Sequence, residues 1–152
     1  MADYSYNSFL IAVNDSVSSH ATIDFLCKLP ISPVQVHITL LHILRKPIAG
    51  DELMGKKYME KQPDRLMVIL KKFKSKLIEH GFLSDKIDTK LISDDYQTVG
   101  DGIIDQYKKG NYGMVIIGRK RMSKAEEFVL GDPSVKLIRS LEKTAVLVVK
   151  ST

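Results

Sequence analysis

The sequence predicts an α/β protein: an open five-stranded parallel sheet in one domain, with helices on both faces. Five short apolar segments alternate with longer segments whose apolar residues recur at helical spacing. This alternation is typical of parallel sheets covered by crossover helices. The length of 152 residues, with 44% hydrophobic and 27% charged residues, suits a single domain over residues 1–152 with a complete core.

The first part of the chain is expected to form two strands with a helix between them. Residues 9–13 (FLIAV) are short and uniformly apolar, as buried strands are, and polar residues follow them. Ser16 or Ser18 is then expected to cap a helix that Pro30 ends. Residues 36–44 (VHITLLHIL) form the second predicted strand, in which we interpret His42 as a structural residue.

A long connection is predicted to lead to a second helix and a third strand. Residues 46–61 contain two glycines, one proline and mixed charges without a period, so they are predicted to form a loop. Pro63 is predicted to occupy the first position of the helix, and Gly81 to end it. Between these two residues, apolar side chains recur three and four apart, which gives the helix one apolar face. The third predicted strand covers residues 87–92.

The last part of the chain is predicted to form two more helices and two more strands. Residues 98–109 have an apolar helical face, and residues 112–117 (YGMVII) form the fourth predicted strand. Residues 118–130 carry several basic side chains and are predicted to form a loop. The Asp-Pro pair at residues 132–133 suits the cap and first position of a helix. The final predicted strand runs from Ala145 to Val149.

Several classes of protein are excluded by what the sequence lacks. It contains no G-x-G-x-x-G, G-x-x-x-x-G-K-[ST] or G-x-S-x-G motif, so no dinucleotide site of that type, P-loop or nucleophile elbow is expected. Four scattered histidines and one cysteine, Cys27, offer no metal-ligand spacing and no internal disulfide, which suits a reducing cytoplasm. The net charge is +5, but no stretch of five residues consists only of Lys and Arg, and no apolar run approaches a membrane span. Neither nucleic acid nor a membrane is therefore expected as a partner.

Two polar segments that follow predicted strands form the most informative pattern in the chain. The first, NDS, covers residues 14–16 directly after the first strand. The second begins at Gly118 and runs to the GDPS segment at residues 131–134, where the last helix is expected to begin. Glycines let a backbone approach phosphate closely, and a helix start offers unpaired N–H groups.

On these residues, and over essentially its whole length, the chain resembles the universal stress protein family. After the fourth strand, that family has Gly, two residues, Gly, nine residues, Gly and then Ser or Thr. Gly118 and Gly131 match the first and last glycine, and Arg121 stands at the second. Asp132 stands where Ser or Thr is usual. Residues 40–44 (LLHIL) are similar to the family's second strand.

The resemblance implies a sheet of order 3-2-1-4-5, the fold of adenine-nucleotide alpha-hydrolase-like proteins. Strands 1 and 4 are then neighbours whose connections leave in opposite directions, and open α/β sheets bind ligands at such a point. The implied cofactor is ATP or another adenine nucleotide, with magnesium only alongside the nucleotide. Carried over position by position, the implied nucleotide-binding residues are Ala12, Val13, Asn14, Asp15, Ile43, Ile117, Gly118, Arg121, Gly131, Asp132, Pro133 and Ser134.

Asp132 and Arg121 change the charge of the implied phosphate site. A carboxylate about 5 Å from a phosphate costs roughly 3 kcal/mol at an effective dielectric constant of about 20. Asp132 is therefore predicted to weaken ATP binding, although it is also the residue that would hold a metal ion. Arg121 could clamp a phosphate or pair with Asp132, and we predict that pair in the ligand-free protein.

Three functions remain open, and the pattern favours the first. It is a non-enzymatic regulatory or binding protein with a degenerate adenine-nucleotide pocket. The second is a slow ATP hydrolase whose metal ion is held by Asp15 or Asp132. The third is a module that binds an acidic protein partner of unknown identity through Arg119, Lys120 and Arg121, without a small ligand.

The last strand also predicts a homodimer. The segment from Ala145 to Val149 is apolar, and in the implied order it lies at the edge of the sheet. Unpaired backbone groups at such an edge need cover. Two copies paired antiparallel about a two-fold axis would satisfy those groups, and the resemblance implies the same interface.

Overall fold

The computed structural model describes residues 5–44, 56–126 and 132–151. The strands are β1 (Ser8–Ala12), β2 (His37–Ile43), β3 (Ile87–Ile92), β4 (Met114–Lys120) and β5 (Ala145–Ser151). The helices are α1 (Val17–Lys28), α2 (Lys56–Glu79), α3 (Val99–Lys109) and α4 (Pro133–Ser140). The strands form one sheet of order β3-β2-β1-β4-β5, and every pair is parallel. This architecture confirms the predicted fold class.

Each face of the sheet packs against its own pair of helices. α1 and α2 cover one face, and the apolar residues buried there include Ile11, Ile23, Leu40, Phe73 and Ile116. α3 and α4 cover the other face, where the buried residues include Leu10, Leu41, Ile103, Ile117 and Leu137. Because the central strands are buried on both sides, they require uniformly apolar sequences rather than an alternation of apolar and polar residues. No helix of the described residues is long and apolar enough to cross a membrane.

Three helices begin at the carboxyl edge of the sheet, and each has a side-chain cap. Ser16 caps α1 by accepting a hydrogen bond from the Ser19 N–H at 3.2 Å, as one of the two expected caps. Thr98 caps α3, and Asp132 caps α4 as expected. These caps satisfy N–H groups that the first turn of a helix leaves without a partner in the helix.

The prediction of a loop over residues 46–61 is wrong in its last part. α2 is already helical at Lys56, and Pro63 lies inside the helix rather than at its first position. The fixed φ angle of proline fits a helix, but inside a helix proline removes one hydrogen bond to the preceding turn and its ring crowds a carbonyl group there. Residues 46–55 of the predicted loop lie outside the described residues.

The fourth strand is also longer than the sequence indicates. Residues 118–120, predicted to belong to a basic loop, continue β4 because β5 pairs with them as far as Ser151. Arg119 lies opposite Lys150, and Lys120 lies opposite Ser151. Polar residues are thus part of the strand here because a neighbouring strand supplies their backbone partners. Residues 127–131 of the predicted loop lie outside the described residues.

Gly118 lies at a close approach between β4 and α1. A Cβ atom at this position would lie 2.5 Å from the Ser18 carbonyl oxygen and 2.5 Å from the Thr22 hydroxyl. That hydroxyl donates to the same carbonyl at 2.7 Å, so neither atom is free to move away. The glycine is therefore required for the packing of α1 on the sheet, independently of any ligand.

We predict that Gly118→Ala lowers the free energy of unfolding by about 1–3 kcal/mol, because the added methyl group overpacks a contact with backbone atoms. The matched control is Gly100→Ala in α3, where the nearest atom to a new Cβ would be Cδ of the flexible Lys136 side chain at 3.1 Å. That change is expected to stay within about 1 kcal/mol. Urea denaturation measures both variants, and equal stability of the two would contradict this account of Gly118.

Candidate functional site

A cavity of about 550 Å³ opens at the carboxyl edge of the sheet, where β1 and β4 are neighbours. Its wall combines the ends of β1, β2 and β4 with the starts of α1, α3 and α4 and part of α2. Apolar side chains, among them Ile43, Val99, Ile103 and Ile117, line one part of it. Charged and hydroxyl-bearing side chains line the rest. Such a mixture suits a ligand with a flat apolar part and a polar part.

Ten of the twelve sequence-predicted site residues line this cavity. They are Ala12, Val13, Asn14, Asp15, Ile43, Ile117, Gly118, Asp132, Pro133 and Ser134. Arg121 is exposed and is not part of the cavity wall, whereas Gly131 lies outside the described residues. The cavity therefore brings together residues that are more than one hundred positions apart in the chain.

The turn between β1 and α1 is fixed by reciprocal hydrogen bonds. The Asn14 N–H donates to the Ser19 hydroxyl at 2.9 Å, and that hydroxyl donates to Asn14 Oδ1 at 2.9 Å. Ser19 is buried, so these bonds are shielded from water. Asn14 is thus engaged with its own turn, and the rim of the cavity at this point is rigid.

The start of α4 is occupied by the protein's own carboxylate. Asp132 Oδ1 accepts hydrogen bonds from the Ser134 hydroxyl at 2.6 Å, the Ser134 N–H at 3.1 Å and the Val135 N–H at 3.4 Å. Pro133 has no N–H to offer. The groups that could hold an anion at a helix start are therefore already bound to Asp132.

Arg119, and not Arg121, pairs with Asp132. Arg119 Nη2 lies 2.7 Å from Asp132 Oδ2, which is buried and accepts no aligned hydrogen bond from the described residues. The interaction is thus an ion pair, between side chains that are 32% and 10% exposed. The expected pair of Arg121 with Asp132 is wrong because β4 extends to Lys120. Strand alternation then directs Arg119 toward the same face as Ile117, where α4 lies.

A second, more exposed ion pair lies at the mouth of the cavity. Arg65 of α2 contacts Asp15 at 3.3 Å, with side chains that are 60% and 36% exposed. His20 of α1 lies 3.7 Å from the other carboxylate oxygen of Asp15. Lys120, which is exposed, also lines the cavity. The charged groups of the wall therefore include three cations and two carboxylates.

His42 lies at the end of β2 with its ring directed at the neighbouring strand end. Its Nδ1 is 2.7 Å from the Val13 carbonyl oxygen, and a carbonyl only accepts, so Nδ1 carries a proton. Burial lowers the pKa of His42 below its ordinary value of 6.5, while the hydrogen bond to Val13 opposes that shift. The ring is neutral near pH 7 and joins β1 to β2, as the structural interpretation of His42 requires.

The residues present do not fit a metal ion held by Asp132. One oxygen of Asp132 accepts three hydrogen bonds, and the other contacts Arg119. Among the described residues, no group of three or more His, Cys, Asp or Glu side chains lies close enough to hold a metal. A magnesium ion at this point would have to displace the Arg119 guanidinium.

Sequence reasoning missed several residues of the cavity wall, chiefly Arg65 and Met122. It considered Arg119 and Lys120 only as a surface for a protein partner. The orientation of Arg119 could have been predicted from the sequence, because it follows Ile117 at the two-residue spacing of a strand. The sequence signal for Arg65 is weaker: it precedes Ile69 by four residues and so continues the helix face that packs on the sheet.

A family model described as the universal stress protein family matches residues 5–150. The chain belongs to the universal stress protein family. No curated relative matches the sequence. Solved structures of universal stress proteins share the fold at low sequence identity, and structures with a bound adenine nucleotide are among them.

One such structure is a universal stress protein in complex with cAMP, with 15% identity and a TM-score of 0.67, covering 97% of this chain and 99% of that one. The second is from Archaeoglobus fulgidus in complex with dAMP, with 15% identity and a TM-score of 0.62, covering 96% and 99%. The third is a family protein from Arabidopsis thaliana with AMP bound, with 18% identity and a TM-score of 0.67, covering 96% and 92%. They establish the shared fold of this universal stress protein.

The lowered pKa of His42 makes stability of this universal stress protein depend on pH. The unfolded chain binds a proton at His42 more readily than the folded chain does, so stability falls as the pH drops below 6.5. We predict that His42→Gln reduces the loss of unfolding free energy between about pH 7.5 and about pH 5.5. Urea denaturation at both pH values measures it.

The matched control for that experiment is His80→Gln, which changes an exposed histidine just after α2. This variant controls for the replacement of a histidine by glutamine outside the cavity wall. A loss of stability on acidification that is identical in His42→Gln and in the wild type would contradict the assignment of this effect to His42.

Proposed function

We propose that this universal stress protein is a non-enzymatic regulatory protein that binds an adenine nucleotide in the cavity between the ends of β1 and β4. The observation that carries the proposal is the cavity itself, about 550 Å³ in volume and lined by ten of the residues that the family pattern implies. It lies at the point of the sheet where open α/β folds bind ligands.

The lining suits a purine nucleoside in both of its parts. Ile43, Val99, Ile103 and Ile117 offer apolar surface for a flat base, while Asp15 and the α1 serines offer partners for hydroxyl groups. Relatives solved with cAMP, dAMP or AMP support an adenine nucleotide as the ligand. Proteins of this family are generally regulatory or binding proteins, which supports a non-enzymatic function.

The wall of the cavity supports binding better than hydrolysis. Among the described residues of the wall, the carboxylates of Asp15 and Asp132 are both engaged in ion pairs, and the ring of His42 is bound to a backbone carbonyl. A hydrolase would need one of these groups to activate water or to hold a metal ion. Release of inorganic phosphate from ATP by the purified protein, with magnesium present, would favour the hydrolase.

Binding of an acidic protein partner through the basic residues 119–121 has less support. Arg119 is paired with Asp132, which leaves Lys120 and Arg121 as the exposed members of the group. Native mass spectrometry of the purified protein distinguishes the two functions, because co-purified nucleotide is expected only from the nucleotide-binding protein.

We predict that Val99→Trp blocks the cavity and lowers the affinity for AMP by about tenfold or more. Val99 is half-buried at the first position of α3 and lines the cavity, so a larger side chain there occupies the space of the ligand. Isothermal titration calorimetry measures the affinity. The matched control is Val68→Trp on the exposed face of α2, which is expected to bind AMP as the wild type does.

Absence of AMP binding by the wild type in this titration would refute the proposed function. Equal affinity of the wild type and Val99→Trp would place the ligand elsewhere. Circular dichroism of both variants checks that they are folded.

We further propose that the protein is a homodimer through β5. β5 is an edge strand of the described sheet, bonded to β4 on one side. Val146, Leu147 and Val148 are half-buried in the single chain, so part of their apolar surface remains accessible. Antiparallel pairing of two copies would cover that surface and satisfy the outer backbone groups of both strands.

We predict that Leu147→Pro makes the protein monomeric at micromolar concentration, because proline removes a donor and disrupts a paired strand. Sedimentation velocity measures the change. The matched control is Lys90→Pro in β3, the other edge strand, which is expected to leave the dimer intact. A monomeric wild type, or an intact Leu147→Pro dimer, would rule out this interface.

A further inference from the structure

The two ion pairs of the cavity differ in how easily they can be separated. Asp132 is nine-tenths buried and lies 2.7 Å from Arg119, whereas Arg65 and Asp15 lie 3.3 Å apart with large exposed fractions. Water screens an exposed pair and can replace either partner. Separating a buried pair leaves a charge without solvent or partner, which is strongly unfavourable. A ligand phosphate can therefore replace Asp15 as the partner of Arg65 far more readily than it can replace Asp132 as the partner of Arg119.

The Asp132 carboxylate closes the start of α4 to a phosphate in two ways. Its donors, the Ser134 N–H and hydroxyl and the Val135 N–H, all contact Asp132 Oδ1. The second oxygen, Asp132 Oδ2, is buried and adds negative charge directed at Arg119. An incoming phosphate would meet a like charge and find no unbound donor among these groups.

Arg65 offers the opposite conditions at the mouth of the cavity. Its side chain is 60% exposed, so it can turn toward a ligand without leaving solvent. Asp15 would keep His20, 3.7 Å away, when Arg65 turns. Guanidinium groups bind phosphate oxygens through two parallel hydrogen bonds. Lys120, also in the cavity wall, adds positive charge to the same site.

We propose that Arg65 binds the phosphate of the nucleotide at the mouth of the cavity, while the Arg119–Asp132 pair excludes phosphate from the start of α4. The cavity consequently selects a nucleoside monophosphate over a nucleoside triphosphate. The inference rests on the proposed nucleotide binding and specifies which part of the nucleotide meets which residue. Among the described residues of the wall, cations outnumber carboxylates by one, and this excess balances a short anion better than a chain of phosphates.

Calorimetric titration of the full chain with adenosine, AMP and ATP tests this assignment. The wild type is expected to bind AMP about tenfold or more tightly than ATP. Arg65→Gln is expected to weaken AMP by about tenfold while leaving adenosine within about twofold, because only the phosphate contact is removed. Asp132→Ser retains a helix cap and is expected to strengthen ATP binding by about tenfold or more.

Lys72→Gln is the matched control, because it removes one exposed positive charge from α2 two turns beyond Arg65 and outside the cavity wall. It is expected to change none of the three affinities by more than about twofold. Melting temperatures of all variants check that each one is folded.

The outcomes separate this inference from the proposed function. If AMP binds but Arg65→Gln weakens adenosine and AMP equally, or not at all, Arg65 does not hold the phosphate. If ATP binds the wild type more tightly than AMP, the exclusion of phosphate from α4 is wrong, although nucleotide binding stands. If adenosine, AMP and ATP all fail to bind, both the inference and the proposed function fail.

Discussion

The parallel pairing of β1 with β4 at the centre of the sheet is the constraint from which the site follows. Ile11 lies beside Ile116 and Ala12 beside Ile117, and β4 continues past the end of β1 to Lys120 at the same edge of the sheet. The chain then leaves β1 for α1 on one face, whereas α4, which follows β4, covers the other. The space between these diverging connections cannot be filled by either helix. A cavity at this edge is thus a product of topology, and the side chains decide only its chemistry.

Many polar groups around the cavity are already hydrogen-bonded or ion-paired with one another. The starts of α1, α3 and α4 converge on the cavity, and each is capped by a side chain of its own sequence. Lys136 of α4 also contacts Asp101 of α3 at 2.5 Å, and this contact lowers the pKa of the Asp101 carboxyl. The starts of α3 and α4 are consequently tied together before any ligand arrives. A ligand must rely on apolar surface and on the exposed cations rather than on free helix N–H groups.

The fold was largely predictable from sequence because its signals are local. Five apolar runs bounded by polar residues are buried strands wherever the sheet places them, and a Ser or Asp before a helix caps it in any context. The errors arise where the outcome depends on a distant partner. Residues 118–120 are polar and adopt a strand because β5 pairs with them. Pro63 lies within α2 although proline more often begins a helix.

In the candidate site, too, the features set by local sequence were predictable and those set by a distant partner were not. The family spacing located ten residues of the cavity wall, but it assigned the partner of Asp132 to Arg121, two positions from the true one. Only the extent of β4 decides which arginine faces α4, and that extent is a tertiary property. Arg65 was missed because it is distant in sequence from both polar segments and meets Asp15 only through the packing of α2.

The missing side chain at Gly118 has a consequence for motion. The backbone of α1 at Ser18 occupies the space that a side chain would fill, so no rotamer change there can loosen the contact between α1 and β4. The bonds between Asn14 and Ser19 join the preceding turn to the same helix. Any widening of the cavity at this rim must therefore displace the first turns of α1 as a rigid body. The cavity can therefore open at this rim only if α1 moves with it.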